Sequence, residues 1–315
     1  MSDLIFSLNV VMPLFLMLFI GYMLKRAAFI SDAFLHIGNK MVFYILLPVA
    51  LFNNMYMADI QALFDLPFIL FLVGSTIGAF FLIWLMTALF VKDTLARGAI
   101  VQGAFRSNFV FLGFPLLINL LGEAAAAPAA LVIAFIIPLY NIFSTFILVL
   151  YGPSEKMLGP AQIAFTVIKN PFIIGIMLGA LVSLSGIRLP IMITGTTRYI
   201  QNMATPMALL CLGGGMRFEG FNAKFKYAMA ASIVKVIIFP AATVGLGLLL
   251  GFGGNELAIF LVLAGAPSAI AGYTMAKLMG GDEYVAGSIV VISTLLSAFT
   301  LTFGIYLFRV FEVLL

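Results

Sequence analysis

Residues 106–117 read RSNFVFLGFPLL. Arg106, Ser107 and Asn108 stand inside a run that is otherwise almost wholly apolar, and Gly113 and Pro115 follow where a plain spanning helix would carry Leu. Glycine weakens a helix through backbone entropy; proline removes an N–H and crowds the carbonyl four residues back. The stretch therefore reads as a helix interrupted inside a membrane, with polar groups at the interruption.

The surroundings set that membrane context. The chain has 315 residues, of which 64% are hydrophobic and 9% charged, with a mean hydropathy of +1.21. A soluble chain is roughly half apolar and about a quarter charged. Windows of about 20 apolar residues, the length that crosses a bilayer, recur throughout. They fall at 5–24, 37–58, 67–91, 98–121, 128–151, 161–185, 193–216, 226–250, 256–279 and 284–311. The expected class is an all-α integral membrane protein of ten transmembrane helices. The longest connection, YGPSEKMLGP at 151–160, is too short to hold a soluble domain. A single cysteine, Cys211, excludes an intrachain disulfide. The N-terminus carries Asp3, no basic region and no cleavage signal before Lys25, so it reads as a retained first helix.

The net charge of +4 is an orientation signal rather than a nucleic-acid footprint. With the N-terminus outside, the inner loops hold eleven basic residues: Lys25, Arg26, Lys40, Lys92, Arg97, Lys156, Lys169, Arg217, Lys224, Lys226 and Lys277. The other side holds three, Arg188, Arg198 and Arg309. The positive-inside rule then places both termini extracytoplasmic, in the cytoplasmic membrane of a bacterial-type cell.

Proline spacing suggests two related halves, 1–151 and 161–315. Pro13 and Pro171 are each followed eight residues on by glycine, Gly21 and Gly179, and the intervals Pro13 to Pro48 and Pro171 to Pro206 are both 35 residues. Pro115 and Pro267 extend the pattern at a shift of 152 instead of 158, as a loop shortened by six residues would produce. Two copies of five helices cannot share an orientation, so the expected plan is an inverted 5+5 repeat. In such folds the site lies near the membrane midplane, built by discontinuous helices at matching positions. Span four, with NFVFLGFP at 108–115, and span nine, with AGAPSAIAG at 264–272, are the candidates; an ordinary proline kink is the plainer reading of each alone.

Charge placement bears on the cargo. All twelve acids fall in loops or at helix ends, and the lone His36 lies in the first inner loop. The charges left at depth are Arg106, about eight residues or roughly 12 Å into its window, and Lys235 in span eight. Intramembrane charges mark pathways or sites, and two cations without a buried acid favour an anionic substrate. Snorkelling along the side-chain stem is the competing explanation for both. A broken helix adds positive field, because the N-terminus of its second half exposes unpaired N–H groups. Pro115 suits the first turn of such a half, Pro267 and Ser268 fit the same part from the other direction, and Asn108 offers an amide donor. Two such termini converging would hold a carboxylate.

Asn141, Ser144 and Thr145 in span five and Ser293, Thr294 and Ser297 in span ten are mid-segment. They either line the site or, as Ser and Thr commonly do, bond backbone and neighbouring helices. GSTIG (74–78), GIMLG (175–179) and GLLLG (247–251) are read as close helix packing, and Asn202, Thr205 and Pro206 as a kink. No phosphate-binding loop, metal-spaced Cys/His cluster, nucleophile–base set or intramembrane protease pair appears, which argues against an enzyme and against a cofactor.

Four stretches in order carry a resemblance. Asn108, Gly113 and Pro115 in span four, ATPMALLCLGGGM at 204–216, APSAIAGYTMAKLMGGD at 266–282 and STLLSAFTL at 293–301 resemble the auxin efflux carrier family, including its bacterial malonate or malate carriers. The resemblance covers essentially the whole chain. It implies an inverted 5+5 fold related to bile-acid-type sodium symporters, with spans four and nine crossing. Spans one, two, six and seven would form a scaffold, and spans three to five with eight to ten a transport domain moving like an elevator in a homodimer. Many members carry Asn where Ala271 stands here, which implies a less polar second half of the site. The expectation is a secondary transporter or facilitator of small organic anions, with Arg106, Asn108, Gly113, Pro115, Asn141, Lys235, Pro267, Ser268, Ser293 and Thr294 as candidate binding residues. Its partners are the substrate and the bilayer, with no nucleic acid. The rivals are a sodium-coupled symporter of the bile-acid type and a membrane sensor that does not transport.

Overall fold

A computed structural model of the chain describes residues 2–59, 65–152, 169–216 and 224–313. Each of the ten windows corresponds to helix, save residues 161–168 of the sixth, which lie outside the described residues together with most of the 151–160 loop, Lys156 and Arg217. The first half holds α1 (Ser2–Arg26), α2 (Asp32–Tyr56), α3 (Leu66–Phe90), α4 (Thr94–Phe105), α5 (Phe109–Leu121) and α6 (Glu123–Tyr151). The second holds α7 (Pro171–Ser185), α8 (Ile191–Gly214), α9 (Phe225–Leu249), α10 (Gly254–Gly265), α11 (Ile270–Leu278) and α12 (Glu283–Val310). Six of them, α1, α2, α3, α6, α9 and α12, are long and apolar enough to cross a membrane. Windows four and nine are each two helices with a gap between.

The acids at the span ends have local work. Asp65, Asp93 and Asp282 precede α3, α4 and α12, and their carboxylates accept the N–H of Phe68, Ala96 and Val285 at 3.3, 3.2 and 3.0 Å. A carboxylate there satisfies an otherwise unpaired donor and meets the positive end of the helix dipole. Lys224, just before α9, lies 2.6 Å from both Asp93 and Asp282, tying the starts of three helices together. That contact holds the Asp93 carboxyl below its usual range, and Asp282, followed by Asp93, holds the Lys224 ammonium above its own.

Prolines are accommodated by widened turns. Among the described residues three π-turns occur, Val42–Leu46 in α2, Phe109–Gly113 in α5 and Val234–Ile238 in α9, and each is followed two residues on by proline: Pro48, Pro115 and Pro240. The carbonyl four residues before each proline, the one its ring would strike, lies inside the π-turn, where the wider hydrogen-bond pattern moves it aside.

Helix α1 packs on α8 and on α12, and α2 packs on both α7 and α8. Glycines let the backbones touch. A Cβ on Gly21 would strike the Leu210 carbonyl oxygen, and one on Gly179 would strike that of Phe52. One shift of 158 relates the two contacts, carrying Gly21 to Gly179 and Phe52 to Leu210. Helix α4 packs on α3, α6, α9, α11 and α12, and α10 packs on α5, α9 and α12. The glycine spacings divide on inspection. GIMLG packs tightly, Gly175 on Pro48 and Gly179 on Phe52, and Gly247 packs on Leu257 and Phe260. Gly251 instead ends α9 at φ +82°, and Gly74 and Gly78 have nothing within 4 Å, so the packing reading of GSTIG does not hold within this chain.

Candidate functional site

The two gaps lie against each other. Residues 106–108 separate α4 from α5 and residues 266–269 separate α10 from α11. Ser107 and Ser268 form an antiparallel β-bridge, the Asn108 N–H donates to the Pro267 carbonyl at 2.7 Å, and the Ser107 hydroxyl donates to the Ala266 carbonyl at 3.4 Å. Backbone groups that leave a helix inside an apolar core must find partners; here each gap supplies the other's. The Ser293 hydroxyl on α12 accepts the Ser268 N–H at 3.0 Å, fixing the second gap to a third helix.

Both gaps are shorter than the Gly and Pro spacing suggested; the first is also earlier, while the second falls inside the expected stretch. Pro115 is seven residues past the first gap, in α5 after its π-turn, whereas Pro267 is inside the second gap. Gly113 packs on Val262 of α10 and is removed from the gap as well. Arg106 is not deep within a continuous helix but is the capping residue that ends α4.

Arg106 is nonetheless buried, 7% exposed, and its side-chain hydrogen-bond partners among the described residues are neutral. Its guanidinium donates to Asn141 Oδ1 at 3.1 Å and Ser144 Oγ at 3.3 Å on α6, and to Met275 Sδ at 3.0 Å on α11. None of the ion pairs among the described residues includes it. A buried guanidinium so held is oriented but keeps its full charge, and an anion reaching it would meet a group already stripped of water. The N-termini of α5 and α11 begin directly after the gaps, capped by Asn108 and Ala269 without side-chain hydrogen bonds, so their first N–H groups lack intrahelical acceptors.

Of the remaining candidates, Lys235 is fully buried on α9 and bonds the Ala264 carbonyl at the end of α10 rather than joining the Arg106 cluster. Thr294 bonds its own turn, to the Val290 carbonyl at 2.7 Å. Sequence reasoning missed two contributors. Gln102, one turn before Arg106 and 1% exposed, reaches Met275 Sδ at 3.7 Å, and its side-chain oxygen has no partner among the described residues. The four-residue spacing from Gln102 to Arg106 was the available signal. Met275 gave none, since it reads as one more apolar residue.

Two cavities lie at opposite ends of α8. One, of about 190 Å³, lies between α8, α11 and α12 and is lined by Met216, Ile270, Tyr273, Lys277 and Glu283 among others. It reaches Ile270, the first residue of α11, and the Lys277–Glu283 pair at 2.8 Å stands in its wall. The other, of about 480 Å³, lies between α2, α6 and α8. Carboxamides of Asn53, Asn54 and Gln201 join in series there, with links of 3.0 Å.

This arrangement has relatives. The family described as "Membrane transport protein" matches residues 6–305. A Rhizobium meliloti protein named "Putative malonate transporter" is 26% identical over 314 residues, covering 96% of this chain and 95% of its own. An "Uncharacterized transporter" of Methanothermobacter thermautotrophicus is 22% identical, covering 94% and 96%, and the Escherichia coli "Uncharacterized transporter YfdV" is 26% identical, covering 86% and 88%. The chain is a multi-pass membrane transport protein, not an enzyme, and belongs to the membrane transport protein family, the auxin efflux carrier family that its motifs resemble.

Proposed function

We propose that this transporter carries small organic anions, dicarboxylates of the malonate or malate class first, and binds them at the paired gaps. The observation that carries the reading is Arg106: a buried guanidinium held only by neutral groups, beside two helix N-termini. Both features favour negative charge. The name of the Rhizobium meliloti relative points to the same chemistry. Arg106, Asn108 and the first N–H groups of α5 and α11 are the binding groups in this reading, with Asn141, Ser144 and Met275 orienting the guanidinium.

In the same reading the chain is an inverted repeat of five spans, and the lengths of its helices support it. Helices α4 and α10 both have 12 residues and begin at 94 and 254; α3 and α9 both have 25 and begin at 66 and 225. Twelve residues rise about 18 Å, about half of a bilayer, which puts the gaps near its middle. The group of α1, α2, α7 and α8 serves as the scaffold, and the other eight helices move as the carrier between the two cavities in an elevator motion, paired in a homodimer. The charge count puts the cavity beside Lys277 on the cytoplasmic side.

Uptake of labelled malonate into proteoliposomes, with competition by a panel of mono- and dicarboxylates, tests the assignment. Saturable uptake inhibited by dicarboxylates is expected. Uptake at the rate of protein-free vesicles for every acid on the panel would exclude a carboxylate cargo.

A further inference from the structure

Lys235 occupies a place whose chemistry is that of a cation site. It is the second residue of the π-turn Val234–Ile238 in α9, it is fully buried, and its ammonium donates to the carbonyl oxygen of Ala264 and lies 5.3 Å from the centre of the Phe239 ring. Ala264 is the last residue but one of α10. The Val262 carbonyl accepts from the Ala266 N–H at 2.9 Å, and the carbonyls after it, on Leu263, Ala264 and Gly265, have no further turn of helix to bond. They form the negative end of the α10 dipole, at the edge of the gap.

The neighbours of that helix end carry more oxygen. Helix α12 packs on α10 and on the π-turn of α9, and Ser293, Thr294 and Ser297 are buried along it. Among the described residues no acid pairs with Lys235. Carbonyls at an interrupted helix end are the ligands with which secondary transporters hold a free alkali cation. A buried ammonium without a counter-charge is costly to maintain, and here the helix end and the aromatic face are what offset that cost.

We propose that Lys235 is a tethered cation: it fills, without exchange, the place at the C-terminal end of α10 where a free monovalent cation would otherwise bind. The positive charge at this end of the gap is built into the chain. The wild-type protein needs no Na⁺ or K⁺ there, and shortening Lys235 creates a site for a small monovalent cation. This holds whichever anion is carried, so its test involves no anion substrate and stands or falls apart from the dicarboxylate assignment.

The experiment is thermal unfolding of the purified chain in detergent, at one ionic strength, in choline, sodium or methylammonium chloride. Choline is too large to enter. Wild type is expected to melt at the same temperature in all three. Lys235→Ala is expected to melt lower in choline by about 5 °C or more and to recover most of the loss, saturably, with sodium or methylammonium. Lys235→Met, which fills the space without charge, is expected to stay at the lower temperature in every salt. The proposal is overturned if folded Lys235→Ala shows no saturable cation response, or if wild type is stabilised by sodium as strongly as the variant. It is equally overturned if Lys235→Ala fails to fold in all three salts while Lys235→Met folds, because the loss would then lie in packing of the stem and not in the missing charge.

Discussion

The two gaps share a geometry and differ in chemistry. Each follows a helix of 12 residues, each leads into a second helix, α5 or α11, and the two meet backbone to backbone at the Ser107–Ser268 bridge. The first gap, though, consists of Arg106, Ser107 and Asn108, with Gln102 one turn before it, while the second runs Ala266, Pro267, Ser268 and Ala269, followed by Ala271. Their anchoring differs as well. The start of α4 is tied to α9 and α12 through Asp93, Lys224 and Asp282, whereas the start of α10 is capped locally, the Gly253 N–H donating to Glu256 at 2.7 Å. The two gaps thus share a backbone contact, and the polar side chains are concentrated at one of them.

Removing Arg106 should have the largest effect. A charge-assisted hydrogen bond is worth up to about 3 kcal/mol, so Arg106→Ala should lower malonate uptake by about 100-fold or more while the protein stays folded by size exclusion and thermal unfolding. Wild-type uptake in that variant would assign Arg106 to holding α6 and α11 together and nothing else.

The paired residues next to it sharpen the contrast. Asn108→Ala should weaken uptake by about fivefold, the loss of one ordinary hydrogen bond of about 1 kcal/mol. Ser268→Ala should change it by less than about twofold, because the Ser268 backbone makes the contacts with Ser107 and Ser293. Equal effects of the two substitutions would mean that the gaps contribute alike.

The shared frame has its own check. Gly21→Ala and Gly179→Ala should each destabilise the fold by about 1–3 kcal/mol through backbone overpacking, and by similar amounts, whereas Gly74→Ala should be close to neutral. Thermal unfolding of the three variants measures this, and a silent Gly179→Ala beside a damaging Gly21→Ala would break the symmetry.

Anchoring of the first gap should give the smallest effect, about 1 kcal/mol or less for Lys224→Met, since Lys224 is partly exposed. Its pH dependence has a definite sign. Asp93 is held below its usual range, so its contribution is complete above the ordinary value of about 3.9 and is lost as pH falls through the lower folded value. Lys224 is held above its usual range, so its contribution is complete below about 10.4 and is lost as pH rises through the higher folded value. The gap in melting temperature between wild type and Lys224→Met should therefore be flat from about pH 5 to 9 and close in acid.

The helical class and the interrupted spans were legible because apolar windows and misplaced Gly and Pro are local signals. The position of each interruption was not. Pro115 marks a π-turn beyond the first gap, while Pro267 sits in the second, so matching these two prolines gave a shift of 152 where the starts of α4 and α10 are 160 apart, 94 to 254. Arg106 and Lys235 stood out as charges at depth, but their partners did not. The Ala264 carbonyl, the Met275 sulfur and the Asn141 amide come from distant helices, and a backbone carbonyl leaves no mark in a sequence at all. GSTIG shows the converse limit: its spacing permits close packing, and nothing within this chain takes it up.

The most direct test of the central claim is a structure of the purified protein with malonate bound. Density for the anion is expected against the Arg106 guanidinium and the first N–H groups of α5, with its second carboxylate toward the start of α11. Malonate found instead in the cavity between α2, α6 and α8, with nothing beside Arg106 at saturating concentration, would contradict the account.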